Sequence, residues 1–119
     1  MFDFMLTKEQ IKIRDEAREL VAWVPRQMVL DMDSDKIKFP KEFLQEAARR
    51  NLLGCRYPRQ WGGRAMDWVT TCVLMEEIGT LGYEFACVFG VGAELVCDAI
   101  ILHGTEEQKE KYVKPLLKG

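Results

Sequence analysis

The sequence predicts an all-α fold, a compact bundle of about five helices. Three observations carry it. Apolar residues recur at helical spacing, glycine and proline cut the chain into blocks of helical length, and no stretch alternates apolar with polar residues long enough to make a strand. The 119 residues suit one domain spanning 1–119, and a chain of this size buries about two-thirds of its unfolded surface, enough for a core without metal or disulfide staples.

Thr7 followed by Gln10 is a capping-box pattern, and Ile13, Ala17, Leu20, Val21 and Val24 then share one face of a first helix that Pro25 should end or kink. Residues 26–39, where Asp31, Asp33 and Asp35 alternate with Met32 and Ser34, suit a solvated connection or a short helical continuation. Pro40 suits the first turn of a second helix, with Phe43, Leu44, Ala47 and Ala48 on one side and an end near Asn51. A loop over 54–66, marked by Pro58 and Gly62-Gly63, leads to Asp67 as the cap of a third helix reaching about Gly82. Val69, Cys72, Val73, Leu74, Met75, Ile78 and Leu81 cover the whole circumference of that helix, which predicts an interior position.

The fourth helix, Phe85 to about Leu102, is apolar on most faces too, so helices three and four should pack together at the centre. His103 and Gly104 mark its end, the glycine as a left-handed stop. Thr105 with Gln108 repeats the capping box at the head of a charged fifth helix that Pro115 limits.

Lys and Arg number 17 against 19 Asp and Glu, a formal net charge of −2, so no basic excess is present to hold nucleic acid or an anionic membrane. Cys55, Cys72, Cys87 and Cys97 include no C-x-x-C pair, which argues against a zinc site or disulfide framework and for reduced core thiols in a cytosolic, cytoplasmic protein. The opening residues, Met1 to Lys8, include Asp3 and no basic stretch before a long apolar run, so export is not indicated. Phe85 to Leu102 is apolar enough to raise the question of a membrane span. Glu94 and Asp98 inside it would both be costly in lipid, and the segment reads as a buried helix of a soluble protein.

One histidine and no Glu-x-x-His pair leave a di-metal carboxylate bundle without ligands, and His103 reads as a helix-end residue. Glu94 and Asp98, four apart, put two carboxylates on one face. That is the layout of a proton-transfer pair, or of acids bridged to Arg14, Arg18, Arg49 or Arg50 or left as an exposed stripe. Gly90-Val91-Gly92 begins like a dinucleotide fingerprint but lacks the third glycine and the preceding strand. Each glycine inside a helix costs about 1 kcal/mol relative to alanine, so another helix or a ligand should approach the backbone there. Glu76 and Glu77 read as partners of arginines or of backbone groups, wiring within the domain more than acid–base residues, and Arg56, Arg59 and Arg64 flank the Gly62-Gly63 turn as phosphate contacts or ordinary surface charge.

Several blocks follow one another in a telling order: Phe4-Met5-Leu6-Thr7-Lys8-Glu9-Gln10, then Phe39-Pro40 with Leu52-Leu53-Gly54, then Pro58-Arg59-Gln60-Trp61-Gly62-Gly63. Asp67 and Glu76-Glu77-Ile78-Gly79 come next, and Gly104-Thr105-Glu106-Glu107-Gln108-Lys109 with Tyr112 and Pro115-Leu116-Leu117 is the most specific piece. Together, across essentially the whole chain, they resemble the N-terminal helical domain of the acyl-CoA dehydrogenases. Ala65 departs from that pattern, standing where the family often has another glycine, and Pro25 comes slightly early.

The resemblance implies an FAD-dependent enzyme that oxidises an acyl-CoA thioester to the trans-2-enoyl-CoA and passes electrons to an electron-transferring flavoprotein. It places the catalytic base in a C-terminal helical domain and most flavin contacts in a middle β domain, both absent from these residues on this reading. No catalytic residue, bound FAD or activity is therefore expected of this chain alone. Its own share is one wall of the acyl pocket on the fourth helix, at Phe85, Cys87, Val88, Val91, Gly92 and Leu95. Glycine and valine leave room there for a flexible apolar chain, Phe85 and Leu95 are placed to close its ends, and Gly92→Leu should shorten the preferred substrate. Helices three and four, without neighbours, predict a homo-oligomer, most simply a two-fold dimer. The other class of function is a stand-alone helical binding or scaffold module that keeps the fold without the chemistry.

Overall fold

Thr7 and Gln10 exchange both bonds of a capping box, Gln10 N–H donating to Thr7 Oγ1 at 3.2 Å and Thr7 N–H to Gln10 Oε1 at 2.9 Å. They open α1, Lys8–Trp23, which buries Ile13, Ala17 and Leu20. The structure is a computed structural model that describes residues 3–119, so Met1-Phe2 of the opening segment lie outside it. Pro25 ends α1 and caps α2, Arg26–Asp33, so this stretch is the helical continuation and the bundle has six helices among the described residues. Pro40 caps α3, Lys41–Arg49, and Asn51 at φ +57° supplies the left-handed stop.

The loop after α3 is set by its glycines and by one residue that is not glycine. Gly62 has φ +105°, while a Cβ on Gly63 would sit 2.1 Å from the Tyr57 carbonyl oxygen. Ala65 adopts φ +56°, in the left-handed region, where alanine stands in place of the glycine of the family pattern. A left-handed L-residue costs roughly 1–2 kcal/mol, part of which a glycine returns through its freer unfolded chain. Ala65→Gly is expected to raise the urea midpoint, by about 0.5–1 kcal/mol at unchanged m value; a lowered midpoint would show that Ala65 is not strained.

Asp67 caps α4, Trp68–Gly79, accepting from Thr70 N–H at 2.7 Å and from Thr70 Oγ1 at 2.6 Å. Those bonds hold its carboxyl below the usual carboxylate range. After Gly82, at φ +120°, α5 runs unbroken over Tyr83–His103 and widens into a π turn at Val91–Val96. Thr105 and Gln108 form the second capping box, and α6 covers residues 106–117.

Two expected helix ends fall differently. Gly104 is extended, at φ −81° and ψ 159°, so it is not a left-handed stop. It is glycine because a Cβ there would lie 2.5 Å from the Ile100 carbonyl oxygen. Pro115 does not limit the last helix, which continues to Leu117. A proline ring strikes the carbonyl four residues back, here Lys111, and the π turn at Lys109–Val113 opens the helix at that place.

α1 lies along α4, α4 on α5, and the second half of α5 on α6. The body measures 40 × 40 × 20 Å, two helix diameters thick. Phe43 on α3 meets Phe85 edge-on with centroids 5.1 Å apart and Phe89 at 6.1 Å, and Ile13, Leu20, Leu74 and Ile78 complete the core. So thin a slab leaves no interior helix. Contrary to the sequence reading, α4 and α5 each keep an exposed apolar side, with Trp68, Val69, Tyr83 and Leu95 open. α5 is long and apolar enough to cross a membrane by length and composition; Glu94 and Asp98 within it are held by an arginine of the domain.

Candidate functional site

α5 divides two apolar grooves. One, of about 410 Å³ with apolar walls, lies between α4 and α5 and includes Trp68, Cys72, Met75, Cys87, Val91 and Leu95. The other, of about 660 Å³, lies among α3, α5 and α6, with Leu44, Val88, Gly92 and Leu116 in its walls and Lys41 and Lys111 among its lining. Cys87 and Val91 belong to both and form the ridge between them.

Of the six residues expected on the pocket wall, Cys87, Val91 and Leu95 line the α4–α5 groove, and Val88 and Gly92 line the larger one. Phe85 lines neither; at 1% exposure it is the core ring against Phe43. The helical period explains the split. Residues 87, 91 and 95 are four apart on one stripe, 88 and 92 fall on the next, and 85 turns inward. The two glycines are not forced by tight packing: a Cβ on Gly92 would meet nothing closer than Leu116 at 4.0 Å, and one on Gly90 only the mobile tip of Met75 at 3.3 Å.

Glu94 and Asp98 are bridged by Arg56, not by any of the four arginines expected. Arg56 Nε donates to Glu94 Oε2 at 2.9 Å and Nη2 to Asp98 Oδ2 at 2.5 Å. The guanidinium also stacks 3.9 Å from the Trp68 ring centroid and 4.4 Å from that of Tyr57. Tyr57 donates its hydroxyl to the Glu94 carbonyl at 2.6 Å, within the π turn. The Arg56 and Glu94 side chains keep 11% and 12% exposure. Burial pushes the Glu94 carboxyl above its ordinary range, Arg56 opposes this and Asp98 adds to it. Burial likewise raises the Tyr57 hydroxyl.

The remaining candidates settle into structural roles. Arg64 pairs with Glu16 at 2.5 Å and Arg18 with Glu77 at 2.9 Å, while Arg59 and Glu76 are exposed. Burial raises the thiols of Cys55 and Cys97 to about 12 and about 11, which keeps both protonated and unreactive. Among the described residues no group of three or more His, Cys, Asp or Glu is placed to hold a metal.

Residues 7–119 match the family described as acyl-CoA dehydrogenase, N-terminal domain. The chain belongs to that family. It is 29% identical over 117 residues to the short-chain specific acyl-CoA dehydrogenase of Clostridium acetobutylicum, covering 98% of this chain and 31% of that protein. It is 31% identical over 116 residues to the caffeyl-CoA reductase-Etf complex subunit CarC of Acetobacterium woodii, covering 97% and 31%. Bovine mitochondrial isovaleryl-CoA dehydrogenase is 28% identical over 116 residues, covering 96% and 27%. The chain thus spans about a third of the length of the curated relatives it matches.

Proposed function

We propose that this chain is the N-terminal domain of a flavin-dependent acyl-CoA dehydrogenase and that the α4–α5 groove forms one wall of its acyl site. The observation that carries the reading is an apolar groove whose outer rim is unusually open for carbon. Leu95 is 67% exposed, Trp68 62% and Val91 48%. An acyl chain must be enclosed to be bound, so the wall belongs on a face that further chain covers, and relatives three times as long supply it. Cys87, Val91 and Leu95 hold the chain by burial and exclude water, and Cys72 and Met75 face them from α4.

In the complete protein a bound FAD would supply a hydride acceptor, and the carboxylate base and the docking surface for an electron-transferring flavoprotein would lie outside this chain. The residues of this chain do not fit the flavin. Gly90 and Gly92 lie inside a continuous helix with no strand-to-helix turn, and Arg56 and Arg64 are committed to carboxylates. The 119-residue chain is therefore expected to purify without flavin absorbance and to give no acyl-CoA-dependent dye reduction. Val91→Arg in the complete protein should abolish acyl turnover while flavin content stays unchanged; normal turnover by that variant overturns the assignment of the groove.

The open rim predicts self-association of the isolated chain, most simply as a two-fold dimer that buries the α4–α5 face. Light scattering should show a concentration-dependent mass that Leu95→Lys returns to the monomer. A wild-type monomer at high concentration would refute it.

A further inference from the structure

Of the three arginines that flank the Gly62-Gly63 turn, Arg56 and Arg64 are held by carboxylates and Arg59 is not. Arg59 lines a polar hollow of about 620 Å³ between α3, the 54–66 loop and the end of α6, together with Arg49, Lys114 and Lys118. No acid lines it. Arg49 pairs with Glu46 at 2.6 Å and Lys114 with Glu110 at 2.7 Å, whereas Arg59 and Lys118 have no ion-pair partner among the described residues. Gln45, Asn51 and Gln60 add three side-chain amides, none of them hydrogen-bonded among the described residues. The hollow shares no lining residue with either apolar groove, so it is independent of the acyl site.

We propose that this hollow binds a diphosphate group. Two cations without partners call for an anion of more than one charge, and in a chain of net charge −2 their gathering here is local. Lys114 and Lys118 stand one turn apart at the end of α6, while Arg49 approaches from α3 and Arg59 from the loop. The charges of the ligand must therefore sit at more than one centre, and a single phosphate is too small to touch all three elements. Donor chemistry decides between phosphate and carboxylate. Guanidinium groups take phosphate oxygens in bidentate pairs, and the tetrahedral oxygens that remain are acceptors for amides arriving from other directions. The cations line a concavity and not a continuous face, which suits a small ligand better than a nucleic acid. Arg59, Lys118 and the three amides are exposed and all belong to this chain, so a hydrated anion reaches them without further protein to enclose it.

The test is a titration of the 119-residue chain, isotope-labelled for nuclear magnetic resonance, with inorganic diphosphate, ADP, inorganic phosphate and succinate at matched ionic strength. Trp61 lies in the same wall with Lys114 Nζ 5.6 Å from its ring centroid, so its indole N–H reports on the hollow. Diphosphate is expected to shift that signal and the side-chain amides of Asn51 and Gln60 saturably, and to bind about tenfold tighter than phosphate or succinate. Arg59→Gln combined with Lys118→Gln should weaken diphosphate by about tenfold or more, and Lys8→Gln, on α1 and outside the hollow, should not. ADP that binds at least as tightly as diphosphate assigns the site to nucleotide esters, and ADP that binds more weakly assigns it to the free ion; both uphold the diphosphate group. Phosphate or succinate that matches diphosphate overturns the proposal, as does a titration that never saturates, and neither result needs a variant to fold. A folded double variant that binds like the wild type places the anion elsewhere and overturns it too.

Discussion

Arg56→Met is expected to destabilise the chain by roughly 3 kcal/mol at neutral pH, the scale of removing one partner from a buried ion pair. Methionine keeps much of the apolar stem that packs on Trp68 and Tyr57, so the loss reports the charge more than the volume. What remains are two carboxylates four residues apart, one of them 12% exposed with its second oxygen already unpartnered. Acid should partly rescue the variant. Glu94 already has a raised folded pKa, and without Arg56 only the raising influences of burial and Asp98 are left. A carboxyl raised on folding binds more protons in the folded state. Its contribution therefore favours folding below the unfolded pKa and is lost as pH rises through the folded one. The deficit of Arg56→Met against the wild type should shrink as pH falls from neutral through the raised Glu94 range. Urea midpoints at neutral and mildly acid pH decide it, and a deficit that does not change with pH would show that Glu94 is not the group left exposed.

The same cluster marks where the sequence stops being legible. Local chemistry could be read directly: Thr7 with Gln10, Asp67, and Thr105 with Gln108 all cap helices, because the partners are three residues apart and the bond is set by backbone geometry. Glu94 and Asp98 could be read as acids in need of a cation, but which cation could not. Arg56 is 38 residues from Glu94, and only the path of the 54–66 loop across α5 brings it there. Trp68 and Tyr57, whose rings lie against the guanidinium, carry no spacing signal for the same reason.

Burial is hard to read from the sequence for a related reason. A helix apolar all round belongs inside a body that has an inside, and a slab 20 Å thick has none to spare for α4 and α5. Their exposed carbon is what supports the proposal that further chain covers this face, and the relatives are three times as long. Within α5 the candidate wall was legible as a helix and not as a face. The i, i+4 stripe of Cys87, Val91 and Leu95 was present in the sequence; that Phe85 turns into the core and that Val88 and Gly92 face α6 needed the neighbouring helices to be placed.

Two glycines one turn-face apart make that division testable in the complete protein. Gly90→Leu is expected to shorten the preferred acyl chain, because Gly90 lines the α4–α5 groove and a leucine there occupies its floor beside Met75. Gly92→Leu, on the α3–α5–α6 side, should leave the chain-length profile unchanged, contrary to the shortening that the sequence alone predicts. One methylene in an apolar pocket is worth about 1–3 kcal/mol, so the longest accepted substrate should lose tenfold or more in kcat/KM with Gly90→Leu. At Gly92 a Cβ meets nothing closer than 4.0 Å, at Gly90 it stands 3.3 Å from the Met75 methyl, which must give by a few tenths of an ångström, and either substitution gains about 0.8 kcal/mol of helix propensity over glycine. A melting temperature that holds or rises therefore separates a filled groove from a damaged core. A shortened profile with Gly92→Leu and not with Gly90→Leu would move the acyl chain to the larger groove, between Lys41 and Lys111, and a fall in melting temperature with both would return the two glycines to helix packing.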